Sequence, residues 1–356
     1  MKKRIGILTS GGDCPGLNAA IRGVAKASYK LFDCEFIGIL NGYQGLIDCN
    51  YKNLNYEDFS GILTRGGTML GTQRTPFKNM RKIEKDGVDK VSNMVKNYEK
   101  LSLDCLVTLG GNGTHKNANL LREEGLNVIG LPKTIDNDIY GTDISFGFHS
   151  AVDIATEVID RIHTTADSHD RVMIIELMGN KAGWLTLYAG LAGGADVVLI
   201  PEIPYSLEKI HEALNERQRK GKNFSIIVVA EGAISKDEAL MSKKEFKKYR
   251  ESMPYQTVSY RLAAQLNEIG FETRVTIPGH QQRGGAPSAY DRILATKFGV
   301  YAAGLIKSER YGNTVSIVNN KLQATPLEYM AHKLKPVTKD DEVYKTAQIM
   351  GLTFAD

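Results

Sequence analysis

Short apolar runs recur along the chain. Each is closed by glycine or proline, and several lead into stretches whose apolar residues repeat at helical spacing. Runs of four to eight such residues read as buried parallel strands, because both faces of those strands are covered. They fall at 4–8 (RIGIL), 35–40, 105–109, 128–131, 172–177, 197–200 and 225–230. Between them, residues 18–27 place Ile21, Val24 and Ala25 on one helical face. Ala151, Ile154, Ala155, Val158, Ile159 and Ile162 recur at steps of 3, 1, 3, 1 and 3, the stripe of an amphipathic helix on a core. Residues 79–100 are charged and helical in character, and 234–251 are lysine-rich and read as a solvated helical insertion. The only tryptophan lies in a further helix after residue 177.

The polar residues change this picture from a scaffold to a site. In open α/β sheets, ligands bind outside the carboxyl ends of the strands, so loops at those ends deserve the closest reading. After the first strand comes TSGGDCPGLN, and after the strand at 105–109 comes GGNGTHKN; each is a glycine turn into a helix. Exposed N–H groups and the helix dipole favour an anion there. Gly125 fits the end of the second helix. Neither turn has the P-loop lysine spacing or the three-glycine dinucleotide fingerprint. Between them lies TRGGTMLGTQRT, with Arg65 and Arg74 among glycines that permit close backbone approach. After the strand at 128–131, PKTIDND gathers a hydroxyl, a lysine and two acids. Two phosphate cradles and an acidic loop imply phosphates and a metal ion handled by neighbouring strand ends.

Composition removes other classes. The 356 residues are enough for two packed domains. A 42% hydrophobic and 24% charged chain is ordinary for a soluble globular protein. The net charge of +4 is too small and dispersed to indicate nucleic acid. No apolar run approaches a membrane span, and the N-terminal apolar stretch is too short for a signal peptide. The cysteines at 14, 34, 49 and 105 have no metal-ligand spacing. Together these point to a reduced, cytoplasmic protein.

In order along the chain, TSGGDCPGLNAAIRG, GGTMLGTQR, GGNGT, PKTIDND, SHDRV, MGNKAGWL, VVAEG and TRVTIPGHQQRGG resemble the motifs of the 6-phosphofructokinase family. The resemblance implies two doubly wound α/β domains facing each other across a cleft. Residues 1–147 plus about 282–333 would form the phosphoryl-donor domain, and 148–281 plus the C-terminal segment the fructose 6-phosphate domain. It also implies ATP, Mg²⁺ and a homo-oligomer, dimer or tetramer, with shared active sites.

The family's roles carry over where residues match. Asp136 resembles the general base for the sugar's 1-hydroxyl, with Thr134 beside it, and Ile135 lies between them. Asp138 and the residue at 112 fall in the metal environment. Arg171 resembles the cation on the transferring phosphoryl group. Met178, Gly179, Asn180, Glu231, Arg274, His280 and Arg283 resemble the sugar-phosphate pocket, with Arg171 and Arg274 reaching a neighbouring subunit's site. Gly12, Tyr43, Arg74, Thr75, Gly111, Asn112, Gly113 and Thr114 fall on the donor side.

Three positions depart from the family pattern. Asn112 stands where an acid is usual, Asn180 replaces the arginine of MGR, and Lys133 replaces the glycine of allosteric bacterial ATP enzymes. Pyrophosphate-dependent relatives combine that lysine with an aspartate in the place of Gly113, which crowds the α-phosphate. This chain has the lysine and keeps the glycine, so the expected donor is ATP, with pyrophosphate as the alternative. A degenerate non-catalytic paralogue is a further alternative, motivated by Asn112 and Asn180. GGNGT also resembles the GGDGT loop of NAD and lipid kinases, which leaves PKTIDND, MGNKAGWL and GHQQRGG unexplained.

Overall fold

The apolar runs form strands with their edges moved by a residue or two. A computed structural model describes residues 2–83, 87–255 and 257–356. Its strands are β1 (Lys3–Ser10), β2 (Cys34–Ile39), β3 (Tyr51–Leu54), β4 (Cys105–Gly110), β5 (Val128–Pro132), β6 (Val172–Leu177), β7 (Val197–Leu199), β8 (Ser225–Ala230), β9 (Thr273–Thr276), β10 (Asn313–Val318) and β11 (Lys321–Pro326). The chain divides into two compact units. One comprises Met1–Ser150 and Arg283–Lys335, the other Ala151–Gln282 and Pro336–Asp356.

The first unit holds a seven-stranded sheet in the order β11-β10-β5-β4-β1-β2-β3. Its centre is parallel: Ile5 pairs with Cys105 and Leu106 with Val128. The edge strands β3 and β11 run antiparallel to their neighbours. Parallel strands need helical crossovers, and the helix Leu17–Leu31 supplies the one after β1. It lies against the helix Ala289–Lys307 with little room between backbones. A Cβ on Gly23 would come 2.9 Å from the Thr296 carbonyl oxygen, and one on Gly299 would come 2.5 Å from Val24 N. Only glycine permits that approach. Ile5, Ile7, Ile21, Val24, Val107, Ile129 and Phe298 are buried in the cluster these elements form.

The second unit has a parallel four-stranded sheet, β7-β8-β6-β9. Ile174, Leu199, Ile227, Val229 and Leu262 make its core. The predicted stripe at 151–162 lies on the helix Phe148–Asp167, and the tryptophan opens the helix Trp184–Ala192.

Two helical readings are corrected. Among the described residues of 79–100, α-helix is confined to Lys90–Lys100, which Asp89 caps by accepting from Ser92 N at 3.0 Å; residues 84–86 lie outside the described residues. The 234–251 stretch is two helices, Lys236–Ala239 and Lys243–Ser252, each opened by a Ser-x-x-Glu capping box. The second buries no residue, so the solvated reading of that part stands.

Candidate active site

Three adjacent parallel strands, β5, β4 and β1, bring their carboxyl ends to one edge of the first sheet. Each end carries a polar loop. After β1, Gly11 has φ +85° and donates its N–H to the Gln73 carbonyl at 3.3 Å, while its own carbonyl accepts from Thr72 Oγ1 at 2.6 Å. The turn ends at Gly16, φ 106°, and the helix it opens has no side-chain cap. The loop 65–71 is clamped onto this helix by buried Asn18. Its amide nitrogen donates to the Arg65 and Gly66 carbonyls, and its oxygen accepts from Met69 N at 2.8 Å.

After β4, the helix Asn112–Glu123 opens at Gly111, again with no side-chain cap. Its first N–H groups therefore point outward at the positive end of the helix dipole. Thr114 Oγ1 donates to the Ser10 carbonyl at 3.2 Å, which fixes the two glycine turns against each other. The Thr114 carbonyl accepts from Tyr43 Oη at 2.8 Å. Tyr43 is fully buried, so its phenol serves this bond and burial pushes its acidity far out of the working range. A Cβ on Gly113 would meet nothing within 4 Å. Behind the turn, His115 Nδ1 lies 3.0 Å from the Gly111 carbonyl and Nε2 lies 2.9 Å from Thr314 Oγ1. A carbonyl only accepts, so Nδ1 carries the proton and Nε2 accepts from the hydroxyl. Burial lowers the pKa of His115 to about 4.

After β5 comes the acidic loop. Asp136 N donates to Thr134 Oγ1 at 3.0 Å, which bends the chain over the hydroxyl. Asn137 sits at φ 50°, and its Oδ1 accepts from Ser145 N at 3.1 Å; Ser145 Oγ in turn donates to the Thr134 carbonyl at 3.1 Å. Asn137 and Ser145 thus hold the two acids in place. Sequence reasoning missed this pair, although an asparagine between two aspartates in a tight loop signals a left-handed residue. Ile135 is buried beneath the loop.

Asp138 is mostly buried, which raises its pKa; the amide of Asn112 opposes the shift by donating to Oδ2 at 2.7 Å. Lys133 is buried, and its ammonium donates to the Gly12 carbonyl. Burial lowers its pKa, and Arg283 lowers it further, against the pull of Cys14 and Asp136. The Arg283 guanidinium packs over the Gly12 turn. A Cβ there would come 2.6 Å from Nη1, which donates to the Asp13 carbonyl at 3.1 Å. Thr75 joins this unit through its carbonyl, which accepts from Asn117 Nδ2 at 3.0 Å, whereas Arg74 is exposed.

In the second unit, the loops after β6 and β8 meet. Glu231 Oε1 accepts from Asn180 N at 2.8 Å and from Gly179 N at 3.3 Å. Met178 N donates to Gln282 Oε1 at 3.3 Å, which ties in the 3₁₀ turn Gly279–Arg283 that carries exposed His280. Arg171 and Arg274 are elsewhere. Arg171 Nε and Arg274 Nη2 each donate to Glu272 Oε1 at 2.8 Å. Arg171 precedes β6 and Met178 follows it. Six strand residues span about 20 Å, so one chain's Arg171 is at the opposite end of the sheet from its own Met178 and Glu231. Arg274 pairs with Met173 near the same far end.

An open sheet with a parallel centre, two uncapped glycine turns and an acidic loop at the ends of its central strands defines an α/β protein of phosphate chemistry. A sequence profile of the family described as phosphofructokinase matches residues 4–306. A protein from Spirochaeta thermophila named ATP-dependent 6-phosphofructokinase is 58% identical over 99% of this chain and 98% of its own length. One from Bacteroides thetaiotaomicron named ATP-dependent 6-phosphofructokinase 3 is 47% identical over 99% of each. Among solved structures, the Pichia pastoris phosphofructokinase superposes with a TM-score of 0.81 at 35% identity, covering 93% of this chain and 35% of that one. A pyrophosphate-dependent phosphofructokinase from Nitrosospira multiformis gives 0.81 at 18% identity over 98% of this chain and 91% of that one, which is a likeness of fold. The chain belongs to the phosphofructokinase family, as its motifs imply, and it has that family's two-domain α/β fold.

Proposed function

We propose that the chain transfers the γ-phosphoryl group of ATP to the 1-hydroxyl of fructose 6-phosphate, giving fructose 1,6-bisphosphate and ADP. The observation that carries this reading is the shared edge of β1, β4 and β5, where two helix N-termini without side-chain caps lie beside an acidic loop. The Gly11–Gly12 and Gly111–Thr114 turns bind the donor's phosphates through backbone N–H groups, with Tyr43, Arg74 and Thr75 on the same side. Asp136 accepts the proton of the 1-hydroxyl, the sugar oxygen bonds to the γ-phosphorus, and the bond to the ADP oxygen breaks.

Mg²⁺ fits the residues present. Asp138 offers a carboxylate and Asn112 an amide oxygen, both hard donors, and Mg²⁺ takes one or two protein oxygens plus substrate phosphates. Such an ion would neutralise charge on the phosphoryl oxygens. Among the described residues no group of three or more His, Cys, Asp or Glu forms a self-sufficient metal cage, so the donor's phosphates would complete the coordination. Asp138, whose ionised form burial disfavours, would be held ionised beside the ion.

Met178, Gly179, Asn180, Glu231, His280 and Arg283 hold the sugar phosphate. Arg171 and Arg274, at the far end of the second sheet, serve a neighbouring copy of the chain, so the active species is a homo-oligomer. A cytoplasmic location suits this chemistry. Pyrophosphate remains a second reading because of Lys133. Its ammonium is engaged by the Gly12 carbonyl, and Gly113 faces open space, which supports ATP.

The experiment is a pair of variants in an aldolase-coupled assay. Asp136→Asn should lower kcat by about 10²–10⁴-fold, the usual worth of general-base catalysis, with little change in KM. Mixed with Arg171→Ala after dissociation and reassembly, it should recover activity toward about a quarter of wild type, since mixed dimers own one intact site. A kcat within threefold of wild type removes Asp136 from its role. An inactive mixture shows that each chain completes its own site.

A further inference from the structure

The second unit contains a recess that the catalytic assignments do not use. Its floor is an ion cluster. Glu238 Oε1 lies 2.7 Å from Arg250 Nε, and its Oε2 accepts from Arg250 Nη2 at 3.0 Å and from Ser235 N at 2.9 Å. Arg261, on the helix Val258–Glu268, is a second cation beside the same carboxylate. Its Nη1 stands 3.5 Å from Glu238 Oε1, and its side chain is only 8% exposed. Neither Nη1 nor Nη2 has a hydrogen-bond acceptor among the described residues. Two guanidinium groups thus share one carboxylate, and the surplus positive charge is buried at Arg261. A desolvated cation with unmet donors is costly unless an anion reaches it.

Space for such an anion adjoins it. A recess of about 150 Å³ is lined by Arg261 together with Tyr205, Tyr249, Met253, Tyr255 and Ala264. Room of that order holds a body of benzene size, and an apolar lining with one convergent charged group is that of a small-molecule site. Glu238 also lines the recess, but its oxygens are occupied by Arg250, Ser235 and Arg261. Burial pushes the Tyr205 phenol up to about 12, so it adds no negative charge.

We propose that this recess binds a small organic monoanion: a carboxylate seated on the Arg261 guanidinium, with an apolar ring-sized body against Tyr205, Tyr249 and Met253. One negative charge matches the cluster's surplus of one. A planar carboxylate can meet both terminal nitrogens. The phenol rings and methionine that line the recess suit a flat apolar body.

The test uses the full-length protein and three probes in calorimetric titration: benzoate, benzyl alcohol and inorganic phosphate. Benzoate should bind saturably and raise Tm. Benzyl alcohol, which has the ring without the charge, should bind about tenfold more weakly or worse, and phosphate, which has charge without the ring, likewise. Arg261→Met should weaken benzoate by about tenfold or more. Because that variant disturbs the ion cluster, Ala264→Phe is the second arm: it fills the recess from the wall, leaves the charges alone and should abolish benzoate binding. No benzoate binding by about 10 mM, equal binding of benzyl alcohol or phosphate, or unchanged affinity in Ala264→Phe would each overturn the proposal.

Discussion

Replacing Gly113 with aspartate separates the donor site from the fold. Gly113 is the second residue of the helix Asn112–Glu123, and a side chain there points into open space. The change removes a helical glycine, worth roughly 0.5–1 kcal/mol. It also puts a carboxylate at the positive end of the helix dipole, worth about 0.3–1 kcal/mol more. Stability should therefore hold or rise, by about 1–3 °C in Tm for a chain of this size. A carboxylate about 5 Å from a phosphate at an effective dielectric near 20 costs roughly 3 kcal/mol. That corresponds to about 10²-fold in kcat/KM for ATP. The assay is ATP saturation at fixed high fructose 6-phosphate, beside a melting curve. Lys133→Gly is the control and should keep measurable ATP turnover, because its ammonium is held by the Gly12 carbonyl. If ATP kcat/KM in Gly113→Asp stays within threefold of wild type, the repulsion argument fails. If Tm drops by several degrees, the open-space argument fails.

Two further outcomes follow from the same loops. His115 has a folded pKa of about 4 against an ordinary 6.5. Its contribution to stability is therefore full above pH 6.5, is lost as pH falls toward 4, and totals about 3 kcal/mol at most. His115→Gln should flatten the difference in Tm between pH 7 and pH 4.5; an unchanged slope would show that the ring is not buried neutral. Asn112→Asp places a second carboxylate beside Asp138, now 2.7 Å from the amide. Without metal it should destabilise the fold by roughly 1–3 kcal/mol, and Mg²⁺ should restore Tm; equal Tm gains from Mg²⁺ in variant and wild type would remove this pair from the metal site.

The central strands were legible because both of their faces are buried, and β6 and β8 fall on the residues the apolar runs mark. The strands β3, β9, β10 and β11 were not. Tyr51–Leu54 and Lys321–Pro326 are half-exposed edges whose residues break the apolar run. The helix Ala289–Lys307 buries one face, but its exposed face carries Tyr290, Ile293 and Val300, so the sequence shows little amphipathic contrast. The glycine turns and the acidic loop announced their chemistry through residue type alone, since few side chains but glycine permit those approaches. What residue type could not show is contact. Lys133 reaching the Gly12 carbonyl, Asn112 meeting Asp138, and Arg171 sharing Glu272 with Arg274 join positions up to 121 residues apart in sequence. Spacing along the chain carries no information about such pairs.

The most direct test of the account is the donor preference of the unmodified protein. Purified chain, fructose 6-phosphate and Mg²⁺ are supplied with ATP or with pyrophosphate, and kcat/KM is measured for each donor. The open space at Gly113 and the engaged Lys133 predict that ATP is favoured by about tenfold or more. Robust turnover with pyrophosphate and none with ATP would contradict the account.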